Sequence, residues 1–301
     1  MADTQGQSAL ETAVPLPPRG VIEADVQRAL EEDVGTGDLT AGLVPENKQA
    51  QGEIITRQAA VICGRPWAEE TFRRLDQRIG LRWQVAEGEW VEPGGVVCRL
   101  HGATRPLLTG ERTALNFLQF LSGTATSARL FADAVAGTAA QVLDTRKTIP
   151  GLRHAQKYAT RCGGVVNHRF GLFDAYLIKE NHIIACGGLT PAVELARIRA
   201  AGALVTVEIE TLEQLEMVIA AGADVVLLDN FAGDDLPAAV DQAAGRVKLE
   251  VSGGVDLEQV RRLARTGVDR ISVGAITKHL QAVDLSMRLS AEFNGGRGSL
   301  G

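Results

Sequence analysis

Short apolar runs alternate with helical segments through the second half of the chain, and this alternation restricts the fold more than any other feature. Helices are bounded by the capping-box spacings Thr211/Gln214 and Asp256/Gln259, and by glycines such as Gly222. Strands rich in Val, Ile and Leu that are separated by helices form parallel sheets covered by helices. Six runs are clear (QVLDT, AYLIK, LVTVEIE, DVVLLD, VKLEV and RISVG), and VVNHR would supply a seventh. The pattern predicts an incomplete α/β barrel.

The first hundred residues have a different character. A helix is predicted from Gly20 to about Glu32, followed by a turn at GTGDLT with Asp38 as a cap. Residues 50–105 carry short alternating segments separated by Gly and Pro, with one helix near Pro66 to Leu75, which is typical of a small α+β domain.

A helical run that opens at Thr109, with a break at Ser122-Gly123, is predicted to bridge the two domains. We therefore predict an N-terminal α+β domain at 20–122, a barrel at 123–279, and a C-terminal helix at about 280–292 that joins the N-terminal domain. Loose tails are expected at 1–19, where large apolar residues are few, and at 293–301.

Composition narrows the functional class of the 301-residue chain. Since no run of about 18 apolar residues and no secretory signal occur, the chain is expected to be cytoplasmic and to make no membrane contact. The four cysteines, Cys63, Cys98, Cys162 and Cys186, form no CxxC pair. Their scatter argues against a zinc site or a disulfide framework.

The stretch from Asp144 to His182 is a basic island, with seven Lys or Arg against three acids. It sums to +4 in a chain of net charge −6, so the remainder sums to −10. Such an island suits a small, highly charged anion in a pocket and argues against nucleic acid, which requires a broad basic face. Three of these cations are spaced four residues apart, and a solvated helix face explains them as well as a role in anion binding does; they are Arg153, Lys157 and Arg161.

Polar or glycine residues follow every predicted barrel strand. Because the carboxyl ends of parallel strands gather at one face, they are expected to form one site. A single Glu there could be a structural polar group, but six agreeing strand ends favour a site. These ends are Asp144-Thr145-Arg146-Lys147, Lys179-Glu180-Asn181-His182, Glu208-Ile209-Glu210, Asp229-Asn230, Ser252-Gly253-Gly254 and Gly274-Ala275.

Two chemistries are indicated at this face. The glycine-rich ends expose backbone N–H groups suited to a phosphate, while Glu208 and Asp229 are hard oxygen ligands suited to Mg²⁺ shared with a substrate. Arginine and lysine suit carboxylates and phosphates. The basic residues concerned are Arg146, Lys147, Arg169 and Lys179, together with His168.

Long motifs in the chain resemble the quinolinate phosphoribosyltransferase family. They are EEDVGTGDLT, GERTALNFLQFLSG, LDTRKTIPGLR, KYATRCGGVVNHRFGLFDAYLIKENHI, VEIETLEQL, AGADVVLLDNF, LEVSGGV and TGVDRISVGAITK, between about residues 21 and 290. The resemblance implies an N-terminal open-faced α/β sandwich followed by an incomplete, seven-stranded α/β barrel. It also implies a pentosyltransferase of NAD synthesis that converts quinolinate and phosphoribosyl pyrophosphate to nicotinate mononucleotide, pyrophosphate and CO₂.

The resemblance also implies roles for single residues. Arg146, His168, Arg169 and Lys179 would bind the quinolinate carboxylates, with Thr145 at the same strand end and Lys147 between the two substrates. Glu208 and Asp229 would hold the ribose hydroxyls and Mg²⁺, and with Lys147 they form the expected catalytic set. The phosphate site would be lined by Ser252, Gly253, Gly254, Gly274 and Ala275.

Arg112, in the same resemblance, would complete the site of a neighbouring subunit, so a homodimer is expected. Mg²⁺ would enter with phosphoribosyl pyrophosphate, and no organic cofactor is expected. His168 could equally orient other groups by hydrogen bonds, which is the interpretation that we favour. Two alternatives remain: a molybdenum-associated paralogue of the same fold with another anionic substrate, and a barrel that binds a phosphorylated ligand without turnover.

Overall fold

The computed structural model describes residues 14–199, 202–231 and 235–291. The tail predicted at 293–301, and the first thirteen residues of the tail predicted at 1–19, lie outside this part of the chain. The first nine elements are α1 (Arg19–Val34), a 3₁₀ turn (Ala41–Leu43), β1 (Gln49–Thr56), β2 (Ala60–Val61), α2 (Arg65–Leu75), β3 (Gly80–Trp83), β4 (Trp90–Val91), β5 (Val96–Ala103) and α3 (Thr104–Ala134).

Each of the remaining described strands except the last is followed by a helix, and one of them is followed by two helices. These elements are β6 (Gln141–Leu143), α4 (Arg153–Cys162), β7 (Ala175–Ile178), α5 (Glu180–Ala185), α6 (Leu189–Arg199), β8 (Leu204–Ile209), α7 (Leu212–Ala221), β9 (Val225–Leu228), α8 (Asp235–Ala243), β10 (Lys248–Gly253), α9 (Leu257–Ala264), β11 (Arg270–Val273), α10 (Ala275–Lys278) and β12 (Leu285–Ala291). Within this part of the chain, no helix is both long and apolar enough to span a membrane.

A four-stranded antiparallel sheet, in the order β12-β1-β5-β3, forms the N-terminal unit. One face packs against α2 and α3 through Ile54, Phe72 and Leu115, all nearly fully buried. The other face carries polar side chains such as Glu53 and Arg99, which form an ion pair. Helices cover only one face of this sheet, as in the open-faced sandwich that the resemblance implies. The predicted fold class is confirmed.

The C-terminal segment belongs to this sheet, but as a strand. The helix predicted at about 280–292 is wrong, because β12 pairs antiparallel with β1, with Gln51 opposite Ser290. Leu285, Met287 and Leu289, two residues apart, all face the core of the N-terminal unit. A period of two is the pattern of a half-buried strand and places alternate side chains on one face.

Helix α3 runs unbroken for 31 residues, so the break predicted at Ser122-Gly123 is wrong. The helix begins at Thr104, five residues before the predicted opening. Glycine is needed at 123 for close packing, because a Cβ atom there would overlap the backbone carbonyl oxygen of Gln281. The segment that returns from the barrel to β12 therefore crosses α3 at this glycine.

The barrel is a six-stranded parallel sheet in the order β6-β11-β10-β9-β8-β7. The pairing of β11 with β6 brings the last strand of the barrel beside the first. VVNHR, the expected seventh strand, contributes one parallel bridge, between Val166 and Leu143. The sheet stays open between Val166 and β7, as an incomplete barrel requires. The capping boxes predicted at Thr211 and Asp256 are both present.

Replacement of Gly123 by alanine tests the close packing. We expect Gly123→Ala to lower the free energy of unfolding by about 1–3 kcal/mol, because the backbone of the crossing segment must shift. The matched control is Gly20→Ala in α1, where a Cβ atom meets no heavy atom within 4 Å. It should be neutral or stabilising by up to about 1 kcal/mol. Denaturant unfolding measures both variants, and equal stabilities would contradict the packing role.

Candidate active site

The carboxylate of Asp144 lies at the end of β6 and connects three segments of the chain. Oδ1 accepts hydrogen bonds from Lys157 Nζ at 2.5 Å and from the backbone N–H of His168 at 2.9 Å. Oδ2 accepts from Thr160 Oγ1 at 2.9 Å and from Asn167 Nδ2 at 2.6 Å. Asp144 is completely buried and Lys157 is 2% exposed. This network fixes α4 and the segment of residues 167–169 against the barrel.

The side chains of Lys157 and Arg153 have structural roles. Burial lowers the pKa of the Lys157 ammonium from its ordinary value, and the attraction of Asp144 opposes that shift. Arg153 donates to Thr148 Oγ1 at 3.1 Å and to the carbonyl oxygen of Phe170 at 3.2 Å. A solvated helix face, one of the two interpretations of these residues, is wrong for Lys157.

Two guanidinium groups lie close together at the mouth of the barrel. Burial, and to a smaller extent the positive charge of Arg146, lower the pKa of the Arg169 guanidinium from its ordinary value. Arg169 donates to the carbonyl oxygen of Ala175 at 3.3 Å, and the buried Nε of Arg146 has no hydrogen-bond partner within the described ranges. Two half-buried, mutually repelling cations favour an anion with planar carboxylates between them.

Acidic side chains end the neighbouring strands β8 and β9. Glu208 forms an ion pair with Lys179, which is about half exposed, and Asp229 follows β9 at the same edge of the sheet. Asp229 is half-buried and is held by a backbone hydrogen bond to Ile209. Two carboxylates cannot surround a cation alone, but their oxygens fit Mg²⁺ that takes its remaining ligands from a substrate or water.

A cavity of about 590 Å³ lies beside Lys147 and is lined by Gly253, Gly254, Gly274 and Ala275. A Cβ atom on Gly274 would lie 2.8 Å from Lys147 Cδ, so glycine leaves room for the lysine side chain there. Cβ atoms on Gly253 or Gly254 would meet nothing within 4 Å. Bare backbone next to open space and a lysine favours a phosphate group.

The backbone of Lys147 is fixed on both sides. Its N–H donates to Thr145 Oγ1 at 3.1 Å, and its carbonyl oxygen accepts from Thr277 Oγ1 at 2.8 Å. Ser252 lines the adjoining cavity of about 460 Å³, which shares Gly253 and Gly254 with the cavity beside Lys147.

Comparison with known protein families finds matches to both units of the chain. Residues 38–122 match the quinolinate phosphoribosyl transferase N-terminal domain, and residues 124–288 match the C-terminal domain of the same family. The chain belongs to the quinolinate phosphoribosyltransferase family.

Individual members of this family are similar over most of their length. A nicotinate-nucleotide pyrophosphorylase structure from Francisella tularensis superposes with a TM-score of 0.90 at 46% identity and covers 92% of this chain and 99% of that one. A Bacillus subtilis protein named as a probable nicotinate-nucleotide pyrophosphorylase (carboxylating) is 42% identical over 258 residues, which are 85% of this chain and 89% of its own. A Mycobacterium leprae protein of the same name, without "probable", is 40% identical over 274 residues, or 88% and 95% of the two chains.

The structure brings most of the predicted quinolinate phosphoribosyltransferase residues to one barrel mouth, in the clusters described above. Arg112 is the exception, since it is exposed on α3 in the N-terminal unit and does not line the cavity beside Lys147. The roles of all these residues stay predictions.

Sequence reasoning missed one buried carboxylate and one cluster of three side chains. Glu250 is completely buried within β10, and its alternation with Ser252 in KLEVSG was the available signal. Atoms of Cys63, Glu87 and Cys162 lie within 4.8 Å of one another, a cluster that the cysteine spacing concealed. Burial raises the pKa of the Cys63 thiol and of the Glu87 carboxyl, and the backbone N–H groups of Gly64 and Arg65, which donate to Glu87, oppose the shift of the carboxyl.

The buried pair of Lys157 with Asp144 is tested by Lys157→Met. We expect the free energy of unfolding to fall by about 3–5 kcal/mol, because the carboxylate stays buried without its counter-charge. Arg161→Met, at a half-buried position on the same helix, should change it by less than about 1 kcal/mol. The two values come from urea titrations, and a similar loss in both variants would argue against the pair.

Proposed function

We propose that this protein transfers the phosphoribosyl group of phosphoribosyl pyrophosphate to quinolinate, with loss of CO₂, and so makes nicotinate mononucleotide for NAD synthesis. The observation that carries the proposal is the charge arrangement at the barrel mouth. The Arg146 and Arg169 pair suits the dicarboxylate, whereas the cavity beside Lys147 suits the phosphates.

At the quinolinate end, we assign carboxylate binding to Arg146, Arg169 and Lys179. The two half-buried guanidinium groups repel each other, and the Nε of Arg146 has no acceptor among the described residues, so a dicarboxylate would relieve the repulsion and supply acceptors. Lys179 is paired with Glu208, so its ammonium is shared between that carboxylate and the substrate. Thr145 holds Lys147 between the two ends by accepting from its backbone N–H.

At the phosphate end, Lys147 and the bare backbone at Gly253, Gly254, Gly274 and Ala275 bind the phosphates, with Ser252 at the margin. Mg²⁺ held by Glu208 and Asp229 with substrate oxygens would neutralise charge on the departing pyrophosphate. Lys147 adds a further positive charge at this position. Loss of pyrophosphate leaves positive character on the ribose, which the carboxylates of Glu208 and Asp229 stabilise.

Decarboxylation follows from the substrate's own chemistry. The pyridine nitrogen attacks the ribose carbon as the bond to pyrophosphate breaks, and the ring becomes cationic. The bond between the ring and the 2-carboxylate then breaks, the ring accepts its electron pair, and CO₂ leaves; a proton from solvent replaces it. The enzyme mainly aligns two anions that repel in solution, an effect that contributes about 7 kcal/mol or more.

The proposal includes a homodimer in which Arg112 completes the neighbour's site. Two exposed apolar pairs support an interface: Leu39 and Leu43, 91% and 83% exposed, and Leu172 and Phe173, 76% and 82% exposed. The first pair follows Asp38 in the chain. The carboxylate of Asp38 accepts a hydrogen bond from Thr109 Oγ1 on α3, and Thr109 lies about one helical turn before Arg112. The second pair follows Arg169 closely in sequence. In a dimer with two-fold symmetry, the first pair of each subunit would pack against the second pair of the other subunit, which gives two equivalent contacts.

The activity is tested with purified protein, quinolinate, phosphoribosyl pyrophosphate and Mg²⁺. We expect stoichiometric release of CO₂ and pyrophosphate, and its loss when a chelator removes Mg²⁺. Nicotinate, which lacks the second carboxylate, is the matched control substrate and should release no CO₂. Binding of either substrate without turnover would instead support the non-catalytic alternative, and turnover of another anion alone would support the paralogue.

The shared site is tested by mixing inactive variants. Arg112→Ala and Lys147→Ala should each lower kcat/KM by about 100-fold or more. Because each mixed dimer would hold one intact site of two, random subunit exchange should restore about a quarter of wild-type activity.

Mixing Lys147→Ala with Arg146→Ala is the control for this rescue. Both residues belong to the same barrel mouth, so no mixed dimer regains an intact site. A site shared through Arg112 would be ruled out if activity returned in this control mixture. It would also be ruled out if no activity returned when Lys147→Ala is mixed with Arg112→Ala.

A further inference from the structure

One carboxylate lies inside the barrel, below the mouth. Glu250 is the third residue of β10 and is completely buried. Its neighbours Leu249 and Val251 belong to the core between the sheet and the outer helices. Because side chains alternate along a strand, Glu250 points to the opposite side, into the barrel. A buried carboxylate is unfavourable unless a partner compensates for its lost hydration.

The partner is His168, whose Nε2 lies 3.2 Å from Glu250 Oε1. The contact is not aligned as a hydrogen bond, and neither oxygen of Glu250 has a well-aligned donor among the residues that the structure describes. Hydrogen bonds in active sites often tighten only when substrate binds. The pair is therefore close enough to form such a bond with a small rotation of either side chain.

Every other polar group of His168 is already engaged. Its backbone N–H donates to Asp144 and its carbonyl oxygen accepts from Lys157 Nζ, both at 2.9 Å. The ring Nδ1 accepts from the backbone N–H of Arg169 at 2.7 Å. A nitrogen that accepts a hydrogen bond carries no proton, so the neutral ring carries its proton on Nε2, facing Glu250.

We infer that Glu250 is a positioning residue that holds His168 in the Nε2–H tautomer and thereby fixes the backbone of Arg169. The guanidinium of Arg169 is then held beside Arg146, at the carboxylate end of the site. In this arrangement His168 acts on the backbone of Arg169 through its Nδ1, which is the orienting role favoured in the sequence analysis. This inference rests on the proposed function for its kinetic consequence, but the tautomer is independent of it.

The kinetic test compares Glu250→Met with Glu250→Gln. Methionine removes the acceptor at similar volume, so the KM for quinolinate should rise about tenfold or more, while kcat and the KM for phosphoribosyl pyrophosphate change less than about threefold. Glutamine keeps an acceptor oxygen and should retain most of the affinity. Thr206→Val, at another buried polar position on a barrel strand, is the control and should leave all three constants unchanged.

A double mutant separates positioning from general packing. If Glu250 acts only through His168, adding Glu250→Met to His168→Gln should change the KM for quinolinate no further. Independent, additive effects would overturn the inference. An unchanged KM in a folded Glu250→Met protein would overturn it as well.

The tautomer is read directly from ¹⁵N–¹H long-range correlation spectra of labelled protein. Loss of signals in His168→Gln assigns the ring among the five histidines. Wild type and Glu250→Gln should show the Nε2–H tautomer, and Glu250→Met a mixture. A proton on Nδ1 in the wild type would overturn the inference, even if Glu250→Met fails to fold. A wild type that does not turn over quinolinate would overturn the proposed function alone, because these spectra need no substrate.

Discussion

The buried ion pair between Asp144 and Lys157 is the interaction on which the site depends. It joins the end of the first barrel strand to α4 and to the segment that carries His168 and Arg169. Burial of two charges is unfavourable in itself and becomes tolerable here because Thr160 and other donors satisfy the carboxylate. A buried hydrogen-bond network thus supports the segment that carries Arg169, one of the cations that we propose to bind the substrate. The position of that segment is set before any ligand arrives.

Alternation and capping patterns predicted the barrel because both depend on local chemistry. In β8 the buried apolar residues Val205, Val207 and Ile209 recur with a period of two, and the capping-box spacings located the starts of α7 and α9. The same pattern was present at Leu285 and Met287, where a helix was predicted in error. Gly123 suggested a break because glycine disfavours helices, whereas here it permits a close backbone crossing that no local pattern reveals.

The candidate site was predictable as a set of strand ends and less so in its internal partners. The pairs Lys157 with Asp144 and Lys179 with Glu208 depend on how α4 and neighbouring strands pack, so spacing along the chain does not identify them. The same holds for Glu250, whose partner lies on a different segment of the barrel. Arg112, which we propose to act in a neighbouring subunit, is exposed on α3 and does not line the cavity beside Lys147 of its own chain.

Strand β12 makes the N-terminal sheet dependent on the far end of the chain. Its pairing with β1 joins residues near 50 to residues near 290, so one edge of the sheet is filled only after the barrel sequence has been synthesised. Contacts of such long separation slow folding and leave an open strand edge during synthesis. The two units are therefore interdependent in folding order, and the nascent chain must keep the edge of β1 from pairing elsewhere until the barrel is complete.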